Sequence, residues 1–203
     1  MSTIKFDAMH YDVLKELSSI GTAHAATALS GILNKKVTVT GLNVSQVPFK
    51  DVSDVVGGPE NLISGILMSL SGTIDGMMLY MMDMDSTATI ASALLGRETS
   101  EESFFEEMEQ SALCEFGNMM ICSYINSLAE LTHCKIIPSV PFLAIDMANA
   151  VLSVPVAYFG TVADSVLMIE SRLLVDNIAF AGWFLLVPNL QSFHDFIKML
   201  GVG

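Results

Sequence analysis

Ser111, Glu115 and Asn118 form a polar set at i, i+4 and i+7. On a helix turning about 100° per residue, the three fall within about 60° of one another. Glu115 and Asn118 can then present a carboxylate and a carboxamide side by side. A carboxylate accepts hydrogen bonds or a cation, whereas a carboxamide both donates and accepts, so the pair can hold and orient a polar partner. The solvated face of an amphipathic helix has the same spacing, and spacing alone leaves both readings open. Other routes to chemistry are absent from the sequence. It has no P-loop, nucleophile elbow, His-Glu-x-x-His or Cys-x-x-Cys. His133-Cys134 is the one His/Cys neighbour pair, and a metal site there lacks two further ligands, so it reads as a strand-edge His beside a buried Cys. The methionines, Met77-Met78 and Met81-Met82 among them, read as core filling, with a Met-rich groove as the minor alternative.

The element that must carry the polar set is a helix over roughly 103–131. Leu113, Phe116, Met120, Tyr124 and Leu131 cluster on its other side. Ser103-Phe-Phe-Glu106 fits a capping box, and the acids from Glu98 to Glu109 suit a helix N-terminus. A second such helix is expected over roughly 7–33, with Leu14, Leu17, Gly21, Ala25, Ala28 and Ile32 on its apolar side and Asn34 as its stop. It places Asp12, Glu16 and Ser19 on the equivalent polar face, about 99 residues before Ser111, Glu115 and Asn118.

This spacing marks an internal repeat. Strands are expected at 36–44 after the first helix and at 135–146 after the second. Val-Pro-Phe occurs at 47–49 and again at 140–142, although its distance from the helix differs by six residues. A hairpin reads from Ile63–Leu70 and Met77–Met82, followed by a helix at Ser86–Leu95 that stops at Gly96. The second half reads as strands at 151–161, 165–170 and 181–187 and a closing helix at 192–200. Gly57-Gly-Pro-Glu60 reads as a turn or linker. The fold class is therefore α+β: a single domain of two pseudo-symmetric halves, about 7–97 and 98–203, sharing one sheet or core.

Composition narrows the setting. The chain has 203 residues, 52% of them hydrophobic and 15% charged, enough to bury a core unaided. Mean hydropathy is +0.55. The most membrane-like stretch, Ile178–Val187, nevertheless has about half the ~20 residues of a spanning helix. The N-terminus has no apolar signal-peptide core. Cys114, Cys122 and Cys134 make an odd set, most simply reduced thiols in a cytoplasm. A net charge of −13 argues against nucleic acid and anionic membranes as partners.

Ser111-x-x-x-Glu115-x-x-Asn118, followed by residues 119–140 and Pro141, resembles the signature of the CheC/CheX/FliY phosphatases of bacterial chemotaxis. The run from Leu14 through Ser30 is similar to that family's opening helix. Gly72-Thr-Ile-Asp-Gly76 and the stretch from Gly182 to Pro188 extend the resemblance over nearly the whole chain. With no extra C-terminal domain expected, it is most similar to the CheC-like members. The resemblance implies a hydrolase that removes the aspartyl phosphate of a CheY-type response regulator. Glu115 would dock on the regulator's lysine and Asn118 would orient the attacking water, with Ser111 and Pro141 in support. The chain would need no cofactor of its own, since a divalent metal (Mg) comes with the regulator. The first site departs from the pattern. Ser19 replaces the family's Asn, Ala23-His24 replace a Gly-Asn, and Leu42 stands at the position of the proline. Glu115 and Asn118 thus inherit the role, while Asp12, Glu16 and Ser19 read as a degenerate second site. The alternative is an adaptor that binds a CheD-type receptor deamidase with little catalysis. A structural part of the flagellar switch is less favoured.

Overall fold

The computed structural model describes residues 8–97, 105–159, 165–176, 178–189 and 192. In chain order these form α1 (Ala8–Leu33), β1 (Val37–Pro48), a helical turn with α2 (Val52–Val55), β2 (Leu62–Gly72) and β3 (Gly76–Asp83). Then come α3 (Met84–Leu95), α4 (Glu107–Thr132), β4 (Ile136–Pro138), β5 (Phe142–Met147), α5 (Ala148–Phe159), β6 (Ser165–Val175) and β7 (Ile178–Pro188).

The strands make one sheet in the order β1-β6-β7-β3-β2-β4, with β5 also paired to β2. Every pairing is antiparallel. The hairpins β2–β3 and β6–β7 meet at the centre through β3 and β7. Each half's outer strand is lent across the centre: β1 lies on β6, whereas β4 and β5 lie on β2. The α+β class and its two pseudo-symmetric halves are borne out.

Both faces of the sheet are covered, which explains the high apolar content. In β3, Met78, Tyr80 and Met82 join the core under α1, α3 and α4, while Met77, Leu79 and Met81 join the core under α2 and α5. Strict alternation between two buried faces turns a strand into an unbroken apolar run. Ile178–Val187 is explained in the same way, as β7 held between β3 and β6. Among the described residues, no helix is long and apolar enough to cross a membrane.

Several expectations need correction. Residues 151–159 are helical, not extended. The β-branched Val151, Val154 and Val156 favour a strand locally. Ala148, Val151, Leu152 and Pro155 are nevertheless buried at i, i+3, i+4 and i+7, and packing that stripe onto the sheet outweighs propensity. The single strand expected at 135–146 is split into β4 and β5 around residues 139–141. The capping box lies one turn later than expected: Glu106 is the N-cap, and its backbone N–H donates to the Glu109 carboxylate at 2.8 Å. Ala28, Ile32 and Leu131 are exposed, because 3.6 residues per turn carries the buried stripe round to Leu29 and Leu128. His133 is the left-handed C-cap of α4, not a strand-edge residue. Asn34 is left-handed after α1, and Gly96 caps α3. The closing helix expected at 192–200 lies outside the described residues, apart from Ser192.

The two Val-Pro-Phe triplets are not structural counterparts. Val47 and Pro48 end β1, whereas Phe142 begins β5. The 99-residue offset instead maps the whole of β1 onto 136–147, the span of β4, the break and β5. The bulge in β1 between Val39 and Gly41 then falls at 138–140, overlapping the break between β4 and β5.

Two phenols are sealed in the core beneath the helices, Tyr80 against Phe116 and Phe184 and Tyr124 against Phe184. Burial pushes both well above the ordinary phenol range, and Asp83 adds a smaller push at Tyr80. A raised folded-state pKa contributes stability that is intact below the unfolded value of about 10 and declines as pH rises past it, because only the unfolded chain then ionises. Stability should therefore be flat in this respect below about pH 10. Above it, each phenol should steepen the loss by at most about 1.4 kcal/mol per pH unit. Tyrosinate absorbance followed with circular dichroism checks this: the last two phenols should ionise only as the fold is lost.

Candidate functional site on the fourth helix

The site is built on α4, whose inner side is fixed by large and small residues in alternation. Leu113, Phe116, Met120, Ile121 and Tyr124 are buried. Between Phe116 and Asn118, Gly117 rests directly on Ile66 of β2, where a Cβ would lie 2.5 Å from Ile66 Cγ2. A second glycine, Gly21 of α1, admits the Tyr124 ring: a Cβ there would be 2.8 Å from Tyr124 Cδ2. The two helices also share a hydrogen bond at 3.2 Å between Ser127 Oγ and His24 Nδ1. At its start, α4 is held by the Glu106/Glu109 box, with Arg97 3.5 Å from both carboxylates.

That anchoring turns the polar set outward. Ser111 and Glu115 are exposed and Asn118 is half-buried. Among the described residues, no cation pairs with Glu115. The Asn118 carboxamide has one partner on its own helix: the Cys122 thiol, one turn on, donates to its Oδ1 at 3.3 Å. Cys114, one turn before Asn118, turns its thiol toward the Leu143 backbone of β5. Burial pushes both thiols up, with the Glu115 charge adding to the effect at Cys114, so both stay protonated near neutrality. Pro141 is half-buried in the break between β4 and β5, two residues before Leu143. The proline therefore joins the two strand segments that α4 packs against.

The equivalent stripe on α1, Asp12, Glu16 and Ser19, is exposed throughout. Its chemistry is poorer at two positions: Ser19 stands for Asn118, and Ala23 for Cys122. Among the described residues, no cluster of three His, Cys, Asp or Glu side chains could hold a metal ion. Gly117 and Cys122 come beside this polar set only in the fold. The i+4 spacing from Asn118 to Cys122 was the available signal.

Comparison with known proteins agrees with this architecture. Residues 108–145, which span most of α4 together with β4 and most of β5, match the CheC-like family. The chain is 26% identical over 196 residues to the CheY-P phosphatase CheC of Bacillus subtilis (strain 168), covering 95% of this chain and 94% of that protein. Its fold is similar to the crystal structure of Thermotoga maritima FliY, with a TM-score of 0.73 at 21% identity, covering 98% of each chain. It is also similar to a chain in the CheX-CheY-BeF3-Mg+2 complex of Borrelia burgdorferi, with a TM-score of 0.50 at 13% identity, covering 83% of this chain and 96% of that one. The resemblance of this chain to the CheC-like family is borne out.

Proposed function

We propose that this chain accelerates hydrolysis of the aspartyl phosphate on a CheY-type response regulator, with α4 entering the regulator's phosphorylation site. The observation that carries the reading is the α4 stripe itself. It has an exposed carboxylate at Glu115 and, one turn further round, a half-buried carboxamide at Asn118. The likeness to a protein named as a CheY-P phosphatase supports it.

The division of labour follows from the chemistry of the substrate. An acyl phosphate is already activated, so the enzyme is asked mainly to place a water in line with the scissile bond. Asn118 can accept from that water and donate to a phosphoryl oxygen, a positioning role that needs no nucleophile on this chain. Glu115 pairs with the lysine of the regulator's active site, docking α4 and drawing that cation from the phosphoryl group. A divalent cation on the regulator would neutralise the phosphoryl charge. Ser111 and Pro141 shape the rim and the neighbouring strand.

The direct test is decay of a phosphorylated regulator with and without the purified protein. Decay that rises in proportion to added protein supports the reading, and decay at the intrinsic rate overturns it. Within that assay, Glu115→Ala should raise KM roughly tenfold, the loss of one charge-assisted contact of about 1.4 kcal/mol, with a smaller effect on kcat. The adaptor reading draws on Ser19, since a hydroxyl on α1 replaces the carboxamide of α4. Tight capture of a CheD-type deamidase, unaltered by Asn118→Ala and without any faster phosphoryl decay, would favour it instead.

A further inference from the structure

The site as described uses Glu115 and Asn118 but leaves Cys122 without a role. We propose that Cys122 is a positioning residue that locks the Asn118 carboxamide in its working orientation through the thiol hydrogen bond. The inference rests on the reading of Asn118 as the residue that orients the attacking water.

The argument starts from the freedom of an asparagine. Its terminal torsion is broad, and a carboxamide that swings or flips exchanges its donor and acceptor ends. A group that must both accept from water and donate to a phosphoryl oxygen loses its effect when those ends are interchanged. The Cys122 Sγ lies one helical turn from Asn118, 3.3 Å from Oδ1. As a donor it fixes which end of the amide is oxygen, occupies one lone pair, and leaves the other lone pair and both N–H groups to the substrate side. The partner must supply a proton at working pH, and burial keeps this thiol protonated.

A hydroxyl would serve less well at this position. The hydroxyls of Ser18, Thr27, Ser30, Ser127 and Thr132 all donate to the main-chain carbonyl four residues back. A serine at 122 would meet the same competing acceptor. The degenerate stripe on α1 supplies the contrast, since Ala23 leaves position 19 without any such donor.

The test separates hydrogen bonding from packing. Cys122→Val keeps the volume and removes the donor, while Cys122→Ala removes both. Each should lower kcat for phosphoryl decay about fivefold, the effect of losing one modest hydrogen bond, with KM within about twofold of wild type. A valine variant with wild-type kcat overturns the proposal, whether or not the alanine variant is impaired, because volume alone would then suffice. An equal rise in KM in both variants also overturns it, because the thiol would then act on docking. Asn118→Ala, run alongside, keeps the two levels apart. If it decays phosphate as well as wild type, the water-orienting reading itself has failed. If it is inactive while Cys122→Val is normal, only the positioning role has failed.

Discussion

Asn118→Ala is expected to reduce stimulated phosphoryl decay by about a hundredfold or more while leaving the protein folded. The magnitude follows from what is removed: when catalysis is mainly placement of a water, a loss of aim of about 1 Å costs on the order of a hundredfold. The fold should be spared because Asn118 is only half-buried and alanine is the better helix former. The deficit should therefore fall on kcat, with thermal unfolding unchanged or slightly raised. Ser19→Ala at the matching position of α1 should leave kcat unaltered, since a serine hydroxyl there is shorter than a carboxamide and lacks its paired donor and acceptor. Single-turnover decay of a phosphorylated regulator measures both variants. An Asn118→Ala protein retaining half of the wild-type rate would sink the assignment.

Gly117→Val should have the second largest effect, acting through geometry. Intrinsic helix propensity alone says that replacing a mid-helix glycine by alanine gains up to about 1 kcal/mol. Packing opposes this here. A Cβ on residue 117 would meet Ile66 at 2.5 Å from Cγ2 and 2.9 Å from Cβ, and Ile66 is fully buried at the centre of β2. Overfilling of this kind costs roughly 1–3 kcal/mol, more for valine than for alanine. At about 2–4 °C per kcal/mol for a chain of this size, melting should fall by about 5 °C for valine. The rate of phosphoryl decay should drop with it, because lifting α4 off β2 moves Glu115 and Asn118 together. Ile66→Ala added to Gly117→Val should cost less than the sum of the two changes, as expected of residues in contact. If Gly117→Ala instead melts higher than wild type, propensity has won and the close seating of α4 is not limiting.

How much of this could be read from the residues alone varies with the scale of the feature. The two long helices and the β2–β3 hairpin followed from periodicity, because each long helix buries one stripe and each central strand is apolar on both faces. By contrast, β6 and β7 read only as separate, shorter strands at 165–170 and 181–187. The polar set on α4 could be placed from spacing, since i, i+4 and i+7 leaves little choice on a helix. Residues 148–159 were harder. Valines point toward a strand, and the competing signal, buried positions at helical spacing, has force only once a sheet is present to cover. The break at 139–141 has a local signal in Pro138 and Pro141, since proline cannot donate to a strand ladder, and the pairing of β4 and β5 with β2 shows where the strand divides. Gly117 needed Ile66, which lies fifty-one residues earlier in the chain, and no local pattern could join them.

The lending of outer strands across the centre of the sheet also bears on how the two stripes could diverge. β1 follows α1 directly and closes the sheet on β6, so removing the first helix and its strand would strip an edge from the other half. Selection can therefore relax on what α1 displays to solvent without relaxing on α1 itself. Asp12, Glu16 and Ser19 stand where drift is cheap, whereas Leu14, Leu17 and Gly21 on the same helix stand where it is not. On the proposed function, the α1 copy would serve the sheet as scaffold whatever its solvent-facing stripe carries. The asymmetry between Ser19 and Asn118 is what such an architecture permits over evolutionary time.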